Sequence, residues 1–378
     1  MKRRGNNEGS IYQRKDGLWA GSISLESGKR KVVYGKTRKE VSQKLAQVQR
    51  AIADGQPLGK DRITVRQWLD TWVNENVANR VRPKTLHRYK EIVNLHLIPR
   101  LGHIRLNKLT PTDVERARNE ALASGQSPRS VNHHRAVLRA ALNVAIRHGL
   151  LVRNVAELAD GVSVPEPERD GVTADRAKAI LEAVRGDRLE GLYNLLLASG
   201  LRLGEALGLR WSDLDFEDRT LKVQRTLTRL DGEWIFCEPK TRHSRRTVPL
   251  PPPVVKALRS HRDLQLIERL HAGPAWIGAQ YGELVFTTVL GGPLSEGYVH
   301  HHFQKLLGNA GLPKMRVHDL RHAAASMWAA LGIPLSFAMS ILGHSQMTTT
   351  LQVYSHSTDE WERQAMDRAA NSLWSPTA

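Results

Sequence analysis

Apolar and polar residues alternate in the first part of the chain, which predicts short strands. The alternation covers residues 10–13, 18–24 and 31–34. The pair Asp16-Gly17 supplies the turn between the first two stretches. From Lys39 to Ala53 the apolar spacing changes to that of a helix. Residues 1–60 are therefore predicted to form a three-stranded sheet with one helix.

Helical spacing continues through the second part of the chain, where the helix starts are marked by capping residues. Thr64 and Gln67 have the spacing of a capping box, in which each side chain accepts a backbone N–H of the other. Thr110 and Ser127 each precede a proline, as expected for an N-cap residue followed by the first helical position. These signals predict four helices, near residues 64–78, 83–97, 111–124 and 128–148. A helical bundle follows over residues 61–160.

The third part of the chain begins after a linker and mixes helices with strands. Two prolines and two glycines between Asp160 and Thr173 favour an extended tether, which we place at residues 161–172. A cluster of strands is predicted between Thr220 and Leu250, with one hairpin turn at Asp231-Gly232. The predicted fold class is multidomain and mainly α with small β elements: the N-terminal sheet and helix, the four-helix bundle, and a mixed α+β domain.

One apolar run in the third part could be mistaken for a membrane span. Residues 323–342 contain no formal charge and are long enough to cross a bilayer. Gly332 and Pro334 divide the run into two short helices, and no cluster of lysine or arginine follows it. We therefore expect this run to be buried core, and we expect no membrane partner.

The charge balance changes the picture, because it predicts a polyanionic partner. The chain has 56 lysines and arginines against 38 aspartates and glutamates, a net charge of +18. By region the excess is +9 in residues 1–60 (14 basic, 5 acidic), +6 in 61–168 (17 and 11) and +3 in 169–378 (25 and 22). The lone Cys237 and the absence of an apolar stretch behind the basic N-terminus favour a cytoplasmic protein.

Five short motifs carry the candidate chemistry. They are GLRLGE at 200–205, PKTRHSRRTVPL at 239–250, HDLRH at 318–322, LGH at 342–344 and VYSH at 353–356. Each motif alone is weak, since arginine–carboxylate pairs and half-buried tyrosines are common in proteins. In this order, however, they supply the arginine, lysine, histidine and tyrosine side chains needed to attack a phosphodiester without a metal.

These motifs closely resemble those of the tyrosine recombinase family, the phage integrases, and the resemblance covers essentially the whole chain. It implies an N-terminal arm-type DNA-binding domain (1–60), a core-binding helical domain (61–160), an interdomain linker (161–172), a catalytic domain (173–357) and a C-terminal tail (358–378) that contacts another protomer. The implied partner is double-stranded DNA with core-type and arm-type attachment sites. The chain would be a monomer when free and a homotetramer on DNA, and an accessory DNA-bending protein or an excisionase could assist it.

By that resemblance, the catalytic residues are Arg202, Lys240, His318, Arg321, His344 and the nucleophile Tyr354. The two arginines would bind the non-bridging phosphate oxygens, and His344 would hydrogen-bond one of them. Lys240 would protonate the leaving 5′ oxygen, and His318 is the candidate base. Glu205 would orient Arg202 or the neighbouring backbone. The resemblance implies that the enzyme integrates or excises a mobile element such as a phage. The implied 3′-phosphotyrosine intermediate preserves the energy of the broken bond, so no metal, ATP or other cofactor is expected.

Further cations are predicted to contact DNA outside the catalytic set. They are Arg14, Lys15, Arg30, Lys31, Arg129, Arg139, Arg242 and Arg245. The first four flank the predicted strands of residues 1–60, where the basic excess is largest. Arg242 and Arg245 belong to the densest cationic stretch of the third part.

Two other functions remain open at this point. A non-catalytic DNA-binding regulator or architectural protein could use the same basic surfaces. A zinc-dependent hydrolase is suggested by the i, i+4 spacing of His318 and His322, and by the further imidazoles of residues 300–302. Asp319 stands where a zinc hydrolase motif needs glutamate, and Arg321 would place a cation beside the metal, so the sequence disfavours this function.

Overall fold

The computed structural model describes residues 9–24, 30–53, 63–165, 173–238 and 245–343, together with Asp367. The chain divides into two compact units, residues 1–167 and 168–378. The boundary between the units falls inside the stretch 161–172 for which the sequence predicts a linker.

The first unit contains the predicted sheet with its helix. The elements are β1 (Ser10–Gln13), β2 (Trp19–Ser24), β3 (Arg30–Gly35) and α1 (Arg38–Ala53). The strands are antiparallel in the order β1-β2-β3, and α1 packs against β2 and β3. Val41 and Leu45 of α1 are buried together with Ala20 and Ile23 of β2. The prediction of three strands and one helix is confirmed.

The helical bundle also lies in the first unit. It contains α2 (Val65–Thr71), α3 (Pro83–Glu91), α4 (Ile98–Leu101), α5 (Pro111–Ala123), α6 (Pro128–Arg147) and α7 (Val155–Leu158). π-Helical segments at Trp72–Val77 and Ile92–Leu97 extend α2 and α3, and a 3₁₀ turn covers Leu106–Lys108. The predicted capping box is present: the Thr64 hydroxyl accepts the Gln67 N–H at 3.2 Å, and the Gln67 side chain accepts the Thr64 N–H at 3.0 Å. The hydroxyls of Thr110 and Ser127 cap α5 and α6 as predicted.

The second unit mixes helices with two small sheets. Its helices are α8 (Ala174–Ala183), α9 (Glu190–Ser199), α10 (Leu203–Leu207), α11 (Pro252–Ala272), α12 (Glu296–Asn309), α13 (Val317–Ala330) and α14 (Leu335–Leu342), with 3₁₀ turns at Trp211–Asp213, Gly273–Ala275 and Gly278–Tyr281. Its strands are β4 (Leu214–Asp215), β5 (Thr220–Val223), β6 (Thr226–Leu230), β7 (Glu233–Cys237) and β8 (Arg246–Pro249). Helix α9 is largely buried and packs against both α11 and α13.

The strands of the second unit pair as two separate antiparallel sheets. One sheet has the order β4-β5-β8, and the other is the hairpin β6-β7. Asp231 and Gly232 connect the hairpin with φ values of +50° and +89°, which is the backbone sign expected of a type I′ turn. The hairpin predicted from Asp231-Gly232 is therefore confirmed.

The charge-free run at residues 323–342 forms the second half of α13 and the whole of α14, divided where its breakers predict. Gly332 has a φ of +69° between α13 and α14, and Pro334 is the N-cap of α14. The expectation of buried core is only partly correct, because Leu331 is 70% exposed and Phe337 is 44% exposed. Leu331 is the C-cap residue of α13, and Phe337 lies in the first turn of α14. No helix among the described residues is long and apolar enough to span a membrane.

Candidate active site

The GLRLGE motif turns the chain from the buried helix α9 into the short helix α10. Gly200 ends α9 with a φ of +60°, and a Cβ atom there would lie 2.7 Å from a side-chain carbon of Leu342. A side chain at this position would therefore be excluded by both the backbone conformation and the packing. Arg202 follows as the N-cap residue of α10, so its side chain leaves the helix at its first turn.

Glu205 contacts both the side chain and the backbone of Arg202. Its Oε2 accepts the Arg202 backbone N–H at 3.0 Å, and its Oε1 accepts from Arg202 Nη1 at 2.9 Å. The Glu205 side chain is 5% exposed, whereas that of Arg202 is 40% exposed. The buried Glu205 carboxylate thus holds the backbone and one guanidinium nitrogen of Arg202, while the Arg202 side chain still reaches solvent.

A second arginine, Arg246 of β8, contacts the same carboxylate. Its Nη2 donates to Glu205 Oε2 at 2.9 Å and its Nη1 donates to Oε1 at 3.3 Å. Its Nε donates to the carbonyl oxygen of Ile341 in the last turn of α14. Arg246 is not among the residues predicted to contact DNA, whereas its neighbour Arg245 is; Arg245 is exposed and pairs with Glu238 at 3.0 Å.

Strand periodicity is the signal that could have found Arg246. Val248 is buried in β8, and residues two apart on a strand face the same side. Arg246 therefore points inward with Val248, whereas Arg245 does not share that face.

Arg321 of α13, which is distant along the chain from Arg202 and Arg246, belongs to the same cluster. It is buried, and it donates from Nη1 to the carbonyl oxygen of Gly200 at 2.6 Å and from Nη2 to that of Leu342 at 2.7 Å. These bonds hold together the two glycine-terminated helix ends of the GLRLGE and LGH motifs. Burial, followed by the charges of Arg202 and Arg246, lowers the pKa of Arg321 to about 9, although Glu205 opposes the shift. The guanidinium still carries its charge at pH 7.

The arginine cluster, defined as Arg202, Arg246 and Arg321 around Glu205, has more positive than negative charge. Within the described residues it holds three guanidinium groups and one carboxylate. Burial raises the pKa of Glu205, but the hydrogen bond and charge of Arg246, followed by those of Arg202, outweigh it, so the pKa lies below its usual value. Glu205 is therefore ionised at neutral pH, and the cluster retains an excess of positive charge suited to a phosphate.

His318 lies in the first turn of α13, three residues before Arg321. The ring of His318 meets that of His322 edge to face, with centroids 5.2 Å apart. Surrounding protein atoms exclude part of the water from His318, and this desolvation, followed by the charges of His322 and Arg321, lowers its pKa. The imidazole is therefore neutral at pH 7, the state that can accept a proton.

The remaining predicted residues are either on the surface or outside the described ranges. Exposed are Arg14, Lys15, Arg30, Arg129, Arg139 and Arg245, while Lys31 is half-buried. Arg14 pairs with Asp16 at 3.2 Å and lies over the Tyr34 ring. The predicted residues Lys240, Arg242, His344 and Tyr354 lie outside the described residues, as does the predicted tail apart from Asp367.

The histidines that suggested zinc have other contacts in the structure. His302 bonds the Tyr193 hydroxyl at 2.9 Å and lies 3.3 Å from an Asp187 oxygen. Asp319 accepts from the backbone and side chain of Arg316. Across the part of the chain that the structure describes, no three His, Cys, Asp or Glu residues are grouped as metal ligands.

Known proteins are similar to this chain in both sequence and fold. Residues 171–360 match the model of the Phage integrase family, and residues 64–122 match that of the Phage integrase, N-terminal SAM-like domain. The chain is 30% identical over 350 residues to a protein named Tyrosine recombinase XerC-like from Caldanaerobacter subterraneus subsp. tengcongensis, covering 88% of this chain and 89% of that protein.

Two solved structures illustrate the similarity of fold. A Tn1549 transposon integrase in complex with a circular intermediate DNA is 25% identical with a TM-score of 0.71, covering 81% of this chain and 99% of that one. A lambda integrase tetramer bound to a Holliday junction is 21% identical with a TM-score of 0.58, covering 89% of this chain and 96% of that one.

Proposed function

Since this chain belongs to the phage integrase family of tyrosine recombinases, enzymes that exchange DNA strands, we propose that the arginine cluster around Glu205 is where it binds the scissile phosphate. The observation that carries this proposal is the charge of the cluster: three guanidinium groups converge on one buried carboxylate. A structural ion pair needs one cation for each carboxylate, whereas a phosphate site needs the excess.

The full catalytic set is the one implied by the family resemblance. It consists of Arg202, Lys240, His318, Arg321, His344 and Tyr354. The Tyr354 hydroxyl attacks the phosphorus atom, the bond to the 5′ oxygen breaks, and a 3′-phosphotyrosine forms. His318 accepts the proton of the tyrosine, and Lys240 gives a proton to the leaving oxygen.

The arginines act on charge rather than on protons. Arg202 reaches solvent while Glu205 holds its backbone N–H and one guanidinium nitrogen, so the guanidinium can meet an incoming phosphate with little loss of side-chain freedom. Arg321 is fixed by two main-chain carbonyls, which places its charge before the substrate arrives. Because the phosphotyrosine keeps the energy of the broken bond, rejoining needs neither ATP nor a metal.

The substrate and assembly follow from the same resemblance. We propose that the enzyme acts on the core-type attachment sites of a mobile element as a homotetramer, and that residues 1–60 bind arm-type sites. The domain boundaries are those predicted from the sequence, with the tail 358–378 contacting a neighbouring protomer. A transposon integrase of similar fold has been solved on circular intermediate DNA and a lambda integrase as a tetramer on a Holliday junction, which supports this assembly. Such a reaction on chromosomal or phage DNA would take place in the cytoplasm.

A nicked substrate tests the proposed reaction directly. The protein is incubated with its attachment site, nicked beside the scissile phosphate so that the short strand diffuses away after cleavage. After denaturation, wild type should remain covalently attached to DNA, also in the presence of a chelator, and Tyr354→Phe should give no adduct. Tyr298→Phe, which changes an exposed tyrosine of α12, serves as the matched control and should behave as wild type. No adduct from wild type, or an undiminished adduct from Tyr354→Phe, would overturn the proposal.

A further inference from the structure

Arg246 is the one member of the arginine cluster to which neither the family motifs nor the sequence analysis gives a role. Its side chain is 6% exposed, so it is far less open to solvent than Arg202, which is 40% exposed. It donates to both oxygens of Glu205, and its Nε donates to the carbonyl oxygen of Ile341. These contacts tie β8, α10 and the last turn of α14 to one guanidinium.

We propose that Arg246 is a positioning residue for strand cleavage: it locks Glu205 in the orientation that holds Arg202, and it fixes the end of α14 next to Arg321. This inference rests on the proposed active site. Arg246 need not touch DNA, because its effect passes through Glu205 and through the helix end.

The first route runs through Glu205. This carboxylate accepts from Arg202 and Arg246 at once, and the two arginines bind it from different elements. Without Arg246, the Glu205 carboxylate loses two donors that oppose its rotation. Arg202 is then held by a carboxylate whose orientation is no longer fixed. Rigid support of this kind typically changes activity by roughly 10- to 100-fold.

The second route runs through the C-terminal end of α14. Arg246 donates to the carbonyl oxygen of Ile341, and Arg321 donates to that of Leu342, the next residue. Carbonyls in the last turn of a helix have no partner within the helix, and a cation is favourable there. The two arginines therefore hold consecutive carbonyls, and a shift of the helix end would move the Arg321 guanidinium.

Lysine cannot reproduce this arrangement. A guanidinium offers donors in a planar fork, which here reach two carboxylate oxygens and a carbonyl oxygen at once. A lysine ammonium would keep the charge near Glu205 but not the geometry. Comparing Arg246→Lys with Arg246→Met thus separates the contribution of charge from that of the fork.

The Arg188–Glu268 pair provides a matched control in the same unit. Arg188 donates from Nε and Nη2 to the two oxygens of Glu268, at 2.5 and 2.7 Å, and from Nη1 to the carbonyl oxygen of Thr287 at 2.8 Å. Arg188 thus binds one carboxylate and one carbonyl, as Arg246 does, but neither partner residue belongs to the arginine cluster.

The pH profile is a readout that a purely structural role would not move. Among the described residues, the charged groups facing Glu205 are Arg202, Arg246 and Arg321. Burial raises the pKa of Glu205, and Arg246 is the largest opposing influence. Removing Arg246 therefore raises that pKa, so Glu205 takes up a proton at a higher pH and releases Arg202. The cleavage rate of Arg246→Met should then fall, relative to wild type, more steeply as the pH is lowered.

The experiment measures adduct formation on the nicked site, DNA affinity and thermal melting for each full-length variant. We expect Arg246→Met to cleave roughly 10- to 100-fold more slowly per folded molecule with little change in DNA affinity, and Arg246→Lys to recover part of the rate. Arg188→Met should melt earlier but cleave at the wild-type rate. Adding Glu205→Gln to Arg246→Met should remove the steeper pH dependence, since the group that titrates is gone.

Two results would overturn the inference while leaving the proposed function intact. One is an Arg246→Met protein whose cleavage falls only in proportion to its folded fraction, as for Arg188→Met. The other is a pH profile parallel to that of wild type. Failure of wild type itself to form an adduct would instead refute the proposed function.

Discussion

Two glutamates of the second unit are each held by an arginine fork, and only one of them belongs to the candidate active site. Arg188 binds Glu268, and Arg246 binds Glu205, in each case through both carboxylate oxygens and with a further bond to a main-chain carbonyl. The local geometry of the two forks is therefore nearly the same. Geometry alone would not reveal which of them acts on a substrate.

The difference lies in the charge around each fork. In the first pair one cation meets one carboxylate, whereas Glu205 also contacts Arg202 and lies close to Arg321. A balanced pair satisfies itself and contributes to stability, while an unbalanced cluster keeps charge for a ligand. The excess of cations over carboxylates, rather than burial or bond number, therefore distinguishes the proposed phosphate site from the Arg188–Glu268 pair.

The largest expected effect comes from Arg321, whose guanidinium is fixed by two main-chain carbonyls. Arg321→Lys loses the fork that reaches the carbonyl oxygens of Gly200 and Leu342, so both the fixed charge and the helix ends are disturbed. We expect cleavage of the nicked site to slow by on the order of 100- to 1000-fold, as for removal of a preorganised donor to a transition state. Arg188→Lys should change single-turnover cleavage by less than about twofold. Equal losses in the two variants would show that Arg321 has no greater part in cleavage than Arg188 of the balanced pair.

The next effect concerns His318, the neutral group beside the cluster. Because its pKa is lowered, the imidazole stays neutral through pH 7, and cleavage should fall only as the pH drops below the ordinary histidine value. His318→Gln removes the base, so we expect the rate at pH 7 to fall by about 100-fold. The fall of the cleavage rate at low pH, which is assigned to His318, should be absent in this variant. If the same fall persists in His318→Gln, another group titrates there.

A smaller effect tests the charge excess itself. Glu205→Gln leaves the guanidinium groups of the cluster without their carboxylate, so the folded protein should gain more from added inorganic phosphate than wild type does. Its melting temperature should rise by several degrees in phosphate, and its cleavage should slow by about tenfold. Glu268→Gln removes the carboxylate of a balanced pair and should gain no more from phosphate than wild type. A similar gain in both variants would mean that neither site is specialised for an anion.

The parts of the fold that the sequence predicted well are those set by neighbours along the chain. The capping box of Thr64 and Gln67 and the hairpin turn at Asp231 depend on residues within four positions of each other. The contact between Arg202 and Glu205 spans three residues and could be predicted from the sequence in the same way. Such interactions are local, so their residue types and spacing nearly determine them.

The parts that the sequence did not predict depend on distant partners. Arg246 meets a carboxylate 41 positions away, and no spacing rule connects those two residues. Leu331 and Phe337 lie in an apolar run yet are exposed, because hydropathy does not indicate which neighbours a side chain will find. Arg202, Glu205 and Arg321 were predicted to share one site, but Arg246 could be assigned to it only once the fold had brought β8 to α10.

The smallest expected effect on cleavage comes from replacing a whole fork. Substituting both partners of a buried ion pair by apolar residues often leaves stability nearly unchanged, whereas removing one partner typically costs about 3 kcal/mol. For Arg188→Met with Glu268→Leu we therefore expect a free energy of unfolding within about 1 kcal/mol of wild type and an unchanged cleavage rate. Arg246→Met with Glu205→Leu should recover stability in the same way but not cleavage, because Arg202 would have no carboxylate to hold it. Denaturant unfolding and single-turnover cleavage of the two double variants measure both quantities, and restored cleavage in the second would reduce Glu205 and Arg246 to the structural role of the first pair.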